Sequence, residues 1–475
     1  MIRHTMTRWG YSFAGPGTGR RAEVKASTAV TLSVILLGAS SVLAGAGCGS
    51  DAATTPAQAT AGLTFWQDVA PIYGAKCVKC HQDGGIAPFR LDTYADAKHN
   101  AAAELAQVSA GTMPPYFEKH DGTCGDFHAE DTLTADEKTT VLSWLVGPLA
   151  EGALAPLTPP PPPTLDGAIE LATPVFSPVA QGGKLAAFDE YRCFPMDSPA
   201  TANAFLTGYV VTPGNATIVH HVLGFIVDPA APSSDGTSTN AAVMAALDAE
   251  SPDRIGWPCF GAAGDNVEVS AVPVTWAPGQ GVVTYPDGMG VPMRPTDKLV
   301  VQVHYNLSSP GSAGSSDTTR LGLRFADHVD RHLAFVLPDP FLDSLSKSPP
   351  DSLPPGQANA TYTWTKTVRE LGLDGVASVD LMAIMPHMHG RGVQQTVRAG
   401  SPGAMSCISE LDKWNFHWQR FYTYRTQPRV TPDTTLEVTC DYDTSADTAP
   451  VLPGWGTQNE MCLPVMMIAL PPGGP

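Results

Sequence analysis

The residues of this 475-residue chain that could do chemistry fall into two groups. The first is the run Cys77-Val78-Lys79-Cys80-His81. C-x-x-C-H is the spacing at which two thiols can bond the vinyl groups of a c-type haem while the adjacent imidazole reaches the iron. A redox C-x-x-C pair would not require the histidine, and no second C-x-x-C exists to complete a zinc site. The other axial ligand is open at this point: Met113, in Gly-Thr-Met-Pro-Pro-Tyr, is a candidate, and His99, His120 and His128 are rivals that read more simply as surface residues.

The second group is spread over the rest of the chain. His220-His221 alone is ambiguous, because neighbouring strand residues point to opposite faces; two ligands for one metal would need a distorted strand or an edge. His304, in Val-Gln-Val-His-Tyr, adds a third imidazole. His387-Met388-His389 is a His-x-His pair, which places both rings on one face of a strand. Met461, in Asn-Glu-Met-Cys, offers a thioether. Imidazole with thioether is a soft donor set that favours copper, Cu(I) above all.

Taken in order, His-His, Gln-Val-His-Tyr, His-x-His and Glu-Met-Cys resemble the type II copper monooxygenases over about residues 168–473. The resemblance implies that His220, His221 and His304 bind an electron-storing copper. It implies that His387, His389 and Met461 bind the copper at which O₂ is activated, making them the catalytic set. It also implies two antiparallel jelly-roll-like sandwiches, with disulfides Cys193–Cys259 and Cys440–Cys462. Gln302 and Tyr191 match the family as well. Cys124 and Cys407 remain unassigned. Peptide-hydroxylating members hold a substrate carboxylate with an Arg two residues before His-x-His, an Asn after Met-Cys and a Tyr two beyond; the corresponding residues here are Met385, Leu463 and Val465. Such a pocket is expected to take a neutral or apolar substrate, because a carboxylate buried there would lack a partner. Residues 63–150 resemble a small class I cytochrome c, from Phe65–Ile72 before the haem motif to Ser143-Trp144-Leu145 near the end.

The elements that must position these residues follow from composition and punctuation. Apolar residues make up 43% of the chain, enough for real cores, while Gly (45) and Pro (44) suit turn-rich β structure. The net charge of −18 argues against a nucleic-acid partner. Residues 1–27 are basic and Thr28–Ala46 is apolar and small, so 1–47 reads as a signal peptide. Leu43–Cys48 resembles a bacterial lipobox, which makes Cys48 a candidate for lipidation and a membrane tether; cleavage after Ala46 is the alternative. A tether at 48–62 leads to the cytochrome-like segment 63–150, where helices are expected at Ala95–Val108 and Thr134–Leu145. A Pro-rich linker at 151–167 follows, then β-sandwiches at 168–328 and 329–473. The aromatic run Trp414–Gln419, with Tyr422 and Tyr424, reads as a packed strand, His417 included.

The expected fold is therefore a small all-α cytochrome c domain followed by two antiparallel β-sandwiches. The resemblance implies a monooxygenase with two copper ions; the C-x-x-C-H motif adds one haem, and the signal-like start implies export to the periplasm or to a bacterial membrane as an anchored lipoprotein. O₂, a small organic substrate and a reductant or redox-protein donor would be its partners. A non-catalytic haem and copper electron carrier, or a copper-handling lipoprotein, is the alternative.

Overall fold

The computed structural model describes residues 62–472 apart from 84, 86, 130–131, 158–162, 182–187, 260–261, 309–311, 417 and 455–457. The signal peptide, the tether and Cys48 lie outside the described residues, as does His417. Among the described residues no helix is long and apolar enough to cross a membrane.

Helices come first. A single wide turn at Phe65–Val69 runs into helix Ala70–Lys76, and helices Tyr94–Ala110 and Ala135–Val146 follow. Their starts are chemically marked. The Thr93 hydroxyl accepts from the Asp96 N–H, and Thr134 with Glu137 forms a reciprocal capping box. Gly111, at φ 69°, ends the longest helix in the left-handed conformation that favours glycine. Phe65, Trp66, Tyr73, Val108, Val141, Trp144 and Leu145 form a core of their own.

Among the described residues the β region holds three sheets. A five-stranded sheet runs in the order Trp257–Pro258, Asp189–Asp197, Lys298–Asn306, Val219–Val227, Ala271–Trp276. A four-stranded sheet runs Ala360–Thr367, Thr435–Tyr442, Gly392–Ser401, Ala404–Leu411. A ten-stranded sheet faces both. Its first wing, including Arg320–Ala326, Ala204–Thr212 and Met289–Met293, shares a core with the five-stranded sheet. Its second wing, including Arg331–Val336, Leu463–Ala469 and Val379–His387, packs largely on the four-stranded sheet.

Two features differ from expectation. The two sandwiches are not separate: a parallel pairing of Arg331 with Met289 and His332 with Gly290 joins the wings into one sheet. Leu333, Phe335, Met382 and Met467 of the second half lie in the core of the first. The second difference corrects the all-α reading of residues 63–150. Between the helices the chain leaves the helical core, and Tyr116, Phe117 and Phe127 bury in the second sandwich instead. Bridges Glu118–Leu411 and Phe127–Tyr424 and the disulfide Cys124–Cys407 fasten this segment there. Large aromatics must be buried somewhere, but a sequence does not say in which core.

Candidate metal centres

The three-histidine site is built by a strand irregularity. Along Lys298–Asn306, residues 299, 301, 303 and 305 face the sandwich core, so period-two alternation puts Gln302 and His304 on the opposite face. In the neighbouring strand Val219 pairs with Tyr305 and His221 with His304, a register shift that leaves His220 as the extra residue. A β-bulge of this kind re-aims side chains, and it removes the objection that adjacent strand residues diverge. One ligand atom from each of His220, His221 and His304 lies within 4.8 Å of the others. The Nδ1 atoms of His220 and His304 are 3.2 Å apart. Two nitrogens each about 2 Å from one ion sit roughly 3 Å from each other, so the donors fit a single metal.

Neighbouring groups orient His304. Tyr191 stacks on its ring at 3.9 Å with a 10° tilt. Asp189 Oδ1 lies 3.3 Å from Nε2 and also accepts from the Asn306 side chain. With Asp189 beside Nε2, the nitrogen that faces His220 is Nδ1. Gln302 donates to the Ala262 carbonyl at 2.7 Å. The structure joins Cys193 to Cys259 beside it.

The second group sits where strands Val379–His387 and Leu463–Ala469 end together. His387 pairs with Leu463, so His389 and Met461 each lie two residues past that last pair, on the same end of the sheet. The His387 and His389 rings are 5.3 Å apart and perpendicular. His389 Nδ1 donates to the Asn459 carbonyl at 3.0 Å, which leaves Nε2 with the lone pair. His387 Nδ1 is hydrogen-bonded to Gln419 Oε1. Burial holds the His387 imidazole below its ordinary pKa, favouring the neutral form that binds metals.

The backbone around Met461 is tied down from several sides. Tyr442 donates to its carbonyl at 2.7 Å, Trp364 donates to that of Cys462 at 3.0 Å, and a disulfide joins Cys440 to Cys462. The buried Glu460 carboxylate accepts from the N–H groups of His389 and Arg391. Met461 is 1% exposed and packs in a small apolar cluster with Leu342, Met385, Leu463 and Val465, with Phe421 against it. Met385 and Val465 are ladder partners. Nothing in this cluster carries a charge.

Two contributors had no clear signal in the sequence. Gln419 orients His387, and the Trp414 indole donates to the His389 carbonyl at 2.8 Å. Both come from the aromatic run read as a packed strand, yet residues 412–416 and 418–421 are irregular here. A loop that reaches back to a metal site shows no periodicity from which to find it.

The haem motif begins at the C-terminal end of helix Ala70–Lys76. Cys77 and Cys80 are thiols and not partners in a disulfide. His81 Nδ1 lies 2.9 Å from the Phe89 carbonyl. That oxygen can only accept, so the proton is on Nδ1 and the lone pair on Nε2, the arrangement of a metal-ligating histidine. Met113 is 40% exposed, so its thioether is not spent on the helical core. Of its rivals, His99 is exposed on its helix, while His120 and His128 lie on the segment docked to the second sandwich, where His120 packs against Tyr116. Cys77, Cys80 and His81 offer the two thiols and the imidazole that a c-type haem requires.

Comparison with known proteins adds to the geometry. Residues 344–469 match the family model of the copper type II ascorbate-dependent monooxygenase, C-terminal domain. That segment contains His387, His389 and Met461. The chain is 26% identical over 260 residues to tyramine beta-hydroxylase of Caenorhabditis briggsae, a match covering 53% of this chain and 40% of that protein. It is 25% identical over 201 residues to DBH-like monooxygenase protein 1 of Mus musculus, covering 41% and 32%. The same protein from Gallus gallus is 23% identical over 196 residues, covering 40% and 32%. The chain thus spans two fifths or less of the length of these relatives. Together the matches support kinship with the type II copper monooxygenases.

Proposed function

We propose that this chain is an exported copper-dependent monooxygenase that hydroxylates a C–H bond of a small neutral or apolar substrate with O₂. The observation that carries the reading is the bulge at His220, which brings three imidazoles within 4.8 Å, beside a kinship that supplies the reaction class. Copper, when bound, supplies one-electron chemistry toward O₂. The residues' own parts are distinct. His220, His221 and His304 hold one ion, with Asp189 and Tyr191 fixing the ring of His304. His387, His389 and Met461 hold the other, with Gln419 and Asn459 fixing the tautomers. Met385, Leu463 and Val465 exclude water and charge beside Met461.

A c-type haem bound by Cys77, Cys80 and His81, with Met113 as its other axial ligand, would supply single electrons. Residues 65–146, less the docked middle segment, form its cytochrome c-like domain. The basic start and the lipobox-like Leu43–Cys48 support export and a lipid tether at Cys48.

Reductant-dependent O₂ uptake by the copper-loaded chain tests the activity. A neutral alkyl-aromatic compound should be hydroxylated in step with that uptake, and a peptide ending in glycine should not. Stoichiometric copper binding without O₂ uptake or product would leave a non-catalytic copper and haem carrier. Efficient, saturable hydroxylation of the peptide would refute the apolar pocket.

A further inference from the structure

The haem motif approaches the β region at Gly279. Gly279 lies in the turn that follows strand Ala271–Trp276, at φ +82°. A Cβ added there would meet the Cys80 sulfur at 2.8 Å and Lys79 Cε at 3.6 Å. Both the backbone conformation and the approach of the motif therefore call for glycine at the same residue. The turn itself is cross-braced. The Trp276 indole donates to the Gln280 carbonyl at 3.1 Å, and the Gln280 amide donates to the Thr275 carbonyl at 2.9 Å and to the Tyr209 hydroxyl at 3.3 Å. Tyr209 donates in turn to the Thr275 carbonyl at 2.8 Å.

The strand leading into this turn borders the three-histidine site. Trp276 is the ladder partner of Val222, the residue after His221. From the Cys80 sulfur, one contact reaches Gly279, three residues reach Trp276, and one ladder step reaches the neighbour of a metal ligand.

We propose that the turn 276–281 seats the haem motif and carries electrons from the haem to the copper of His220, His221 and His304. This rests on the haem and copper assignments above. The step is a single electron: Fe(II) becomes Fe(III), Cu(II) becomes Cu(I), and no proton or bond is exchanged. The route starts at a sulfur that would be bonded to the haem itself, and its braced atoms need not rearrange. A rival contact exists at the second site, where Lys413 Nζ donates to the Ala110 carbonyl at 2.8 Å beside Trp414. That contact begins at the C-terminal end of helix Tyr94–Ala110, three residues before Met113, and not at a cysteine sulfur of the haem motif.

The test uses the haem- and copper-loaded full chain without O₂, mixed with one electron equivalent of a fast reductant. The ferrous haem band and the Cu(II) resonance signal are followed together. The band should rise and then decay at a rate independent of protein concentration, with one Cu(II) lost per haem. His304→Ala should abolish that decay. Gly279→Ala should slow it several-fold at unchanged haem spectrum and copper content. Gly281→Ala, whose Cβ meets open space in the same turn, and Gly236→Ala, at φ +68° in open space elsewhere, should match the wild type. Decay in His304→Ala at the wild-type rate would assign the electron to the other copper and overturn the proposal, as would a wild-type rate proportional to concentration. A folded Gly279→Ala chain with the wild-type rate would overturn the turn as the route. In each of these outcomes the haem and copper assignments survive. A chain with no haem band from cells competent in haem attachment would refute those assignments, and the proposal with them. The wild-type and His304→Ala measurements decide the electron's destination even where Gly279→Ala does not accumulate.

Discussion

At the scale of single residues, the two candidate copper sites differ in one donor, and that difference is testable. Met461→Ile keeps the volume and apolarity of a fully buried side chain, a swap that costs less than about 1.5 kcal/mol of stability. It removes the sulfur. The variant should retain the copper of His220, His221 and His304, and lose most turnover and the second copper, as read by metal analysis and product yield. Loss of both ions would count against separate sites. Gln419 acts one step away, through His387. Gln419→Leu should reduce copper affinity at that site or turnover by about 10–100-fold, the usual effect of removing a group that orients a ligand. Gln419→Glu should restore much of it, because the acceptor returns; equal losses in both variants would mean that the loop is merely disturbed.

The residues in these sites were unequally legible in the sequence. His387-x-His389 could be read because period two is a local property of any strand. His220-His221 could not be read alone, because their convergence depends on a bulge fixed by the partner strand carrying His304. Gln419 lies 32 residues from the imidazole it orients, in a stretch whose aromatic content resembles packing. No local pattern marks such a residue.

At the scale of elements, the segment between the helices departs most from expectation. Helices at Tyr94–Ala110 and Ala135–Val146 could be read, the first from its alanine content and the second from an acidic start and helical spacing. The destination of Tyr116, Phe117 and Phe127 could not, because their partners are some 300 residues away. The structure also pairs Cys124 with Cys407, two cysteines that belonged to different expected domains. Within this segment Glu118 is buried, accepting from the Glu410 N–H at 2.7 Å and the Ser409 hydroxyl at 3.1 Å. Burial outweighs those bonds and pushes its carboxyl from 4.5 up to about 8. The folded chain thus holds a proton that the unfolded chain releases. Its stabilising contribution is complete below pH 4.5 and is lost as pH rises toward 8, at up to ~1.4 kcal/mol per unit. Glu104 and Asp339 shift in the same direction, to about 7, so the difference between variants is the measurement. Glu118→Gln should flatten the fall in urea midpoint between pH 4.5 and 8 relative to the wild type; parallel curves would exclude Glu118 as a source.

At the scale of the whole molecule, three bodies of packing share one chain. The helical core contains no residue of the two large β cores. Cys77→Ser with Cys80→Ser should therefore leave the β region folded and copper-loaded, with turnover intact on a small-molecule reductant and reduced on a protein donor. Equal rates with the protein donor, with and without haem, would make the helical part a passenger. The two sandwiches, by contrast, cannot be treated as separable. Swinging one away from the other would break the parallel ladder at Arg331 and His332 and pull Leu333, Phe335, Met382 and Met467 out of the first core. Exposing such side chains costs roughly 1.5–3 kcal/mol each, a sum comparable with the stability of a whole domain. The spacing between the two histidine clusters is consequently a built dimension. It is laid down once, when the chain folds. Anything that passes from one cluster to the other would cross a span set by that shared core.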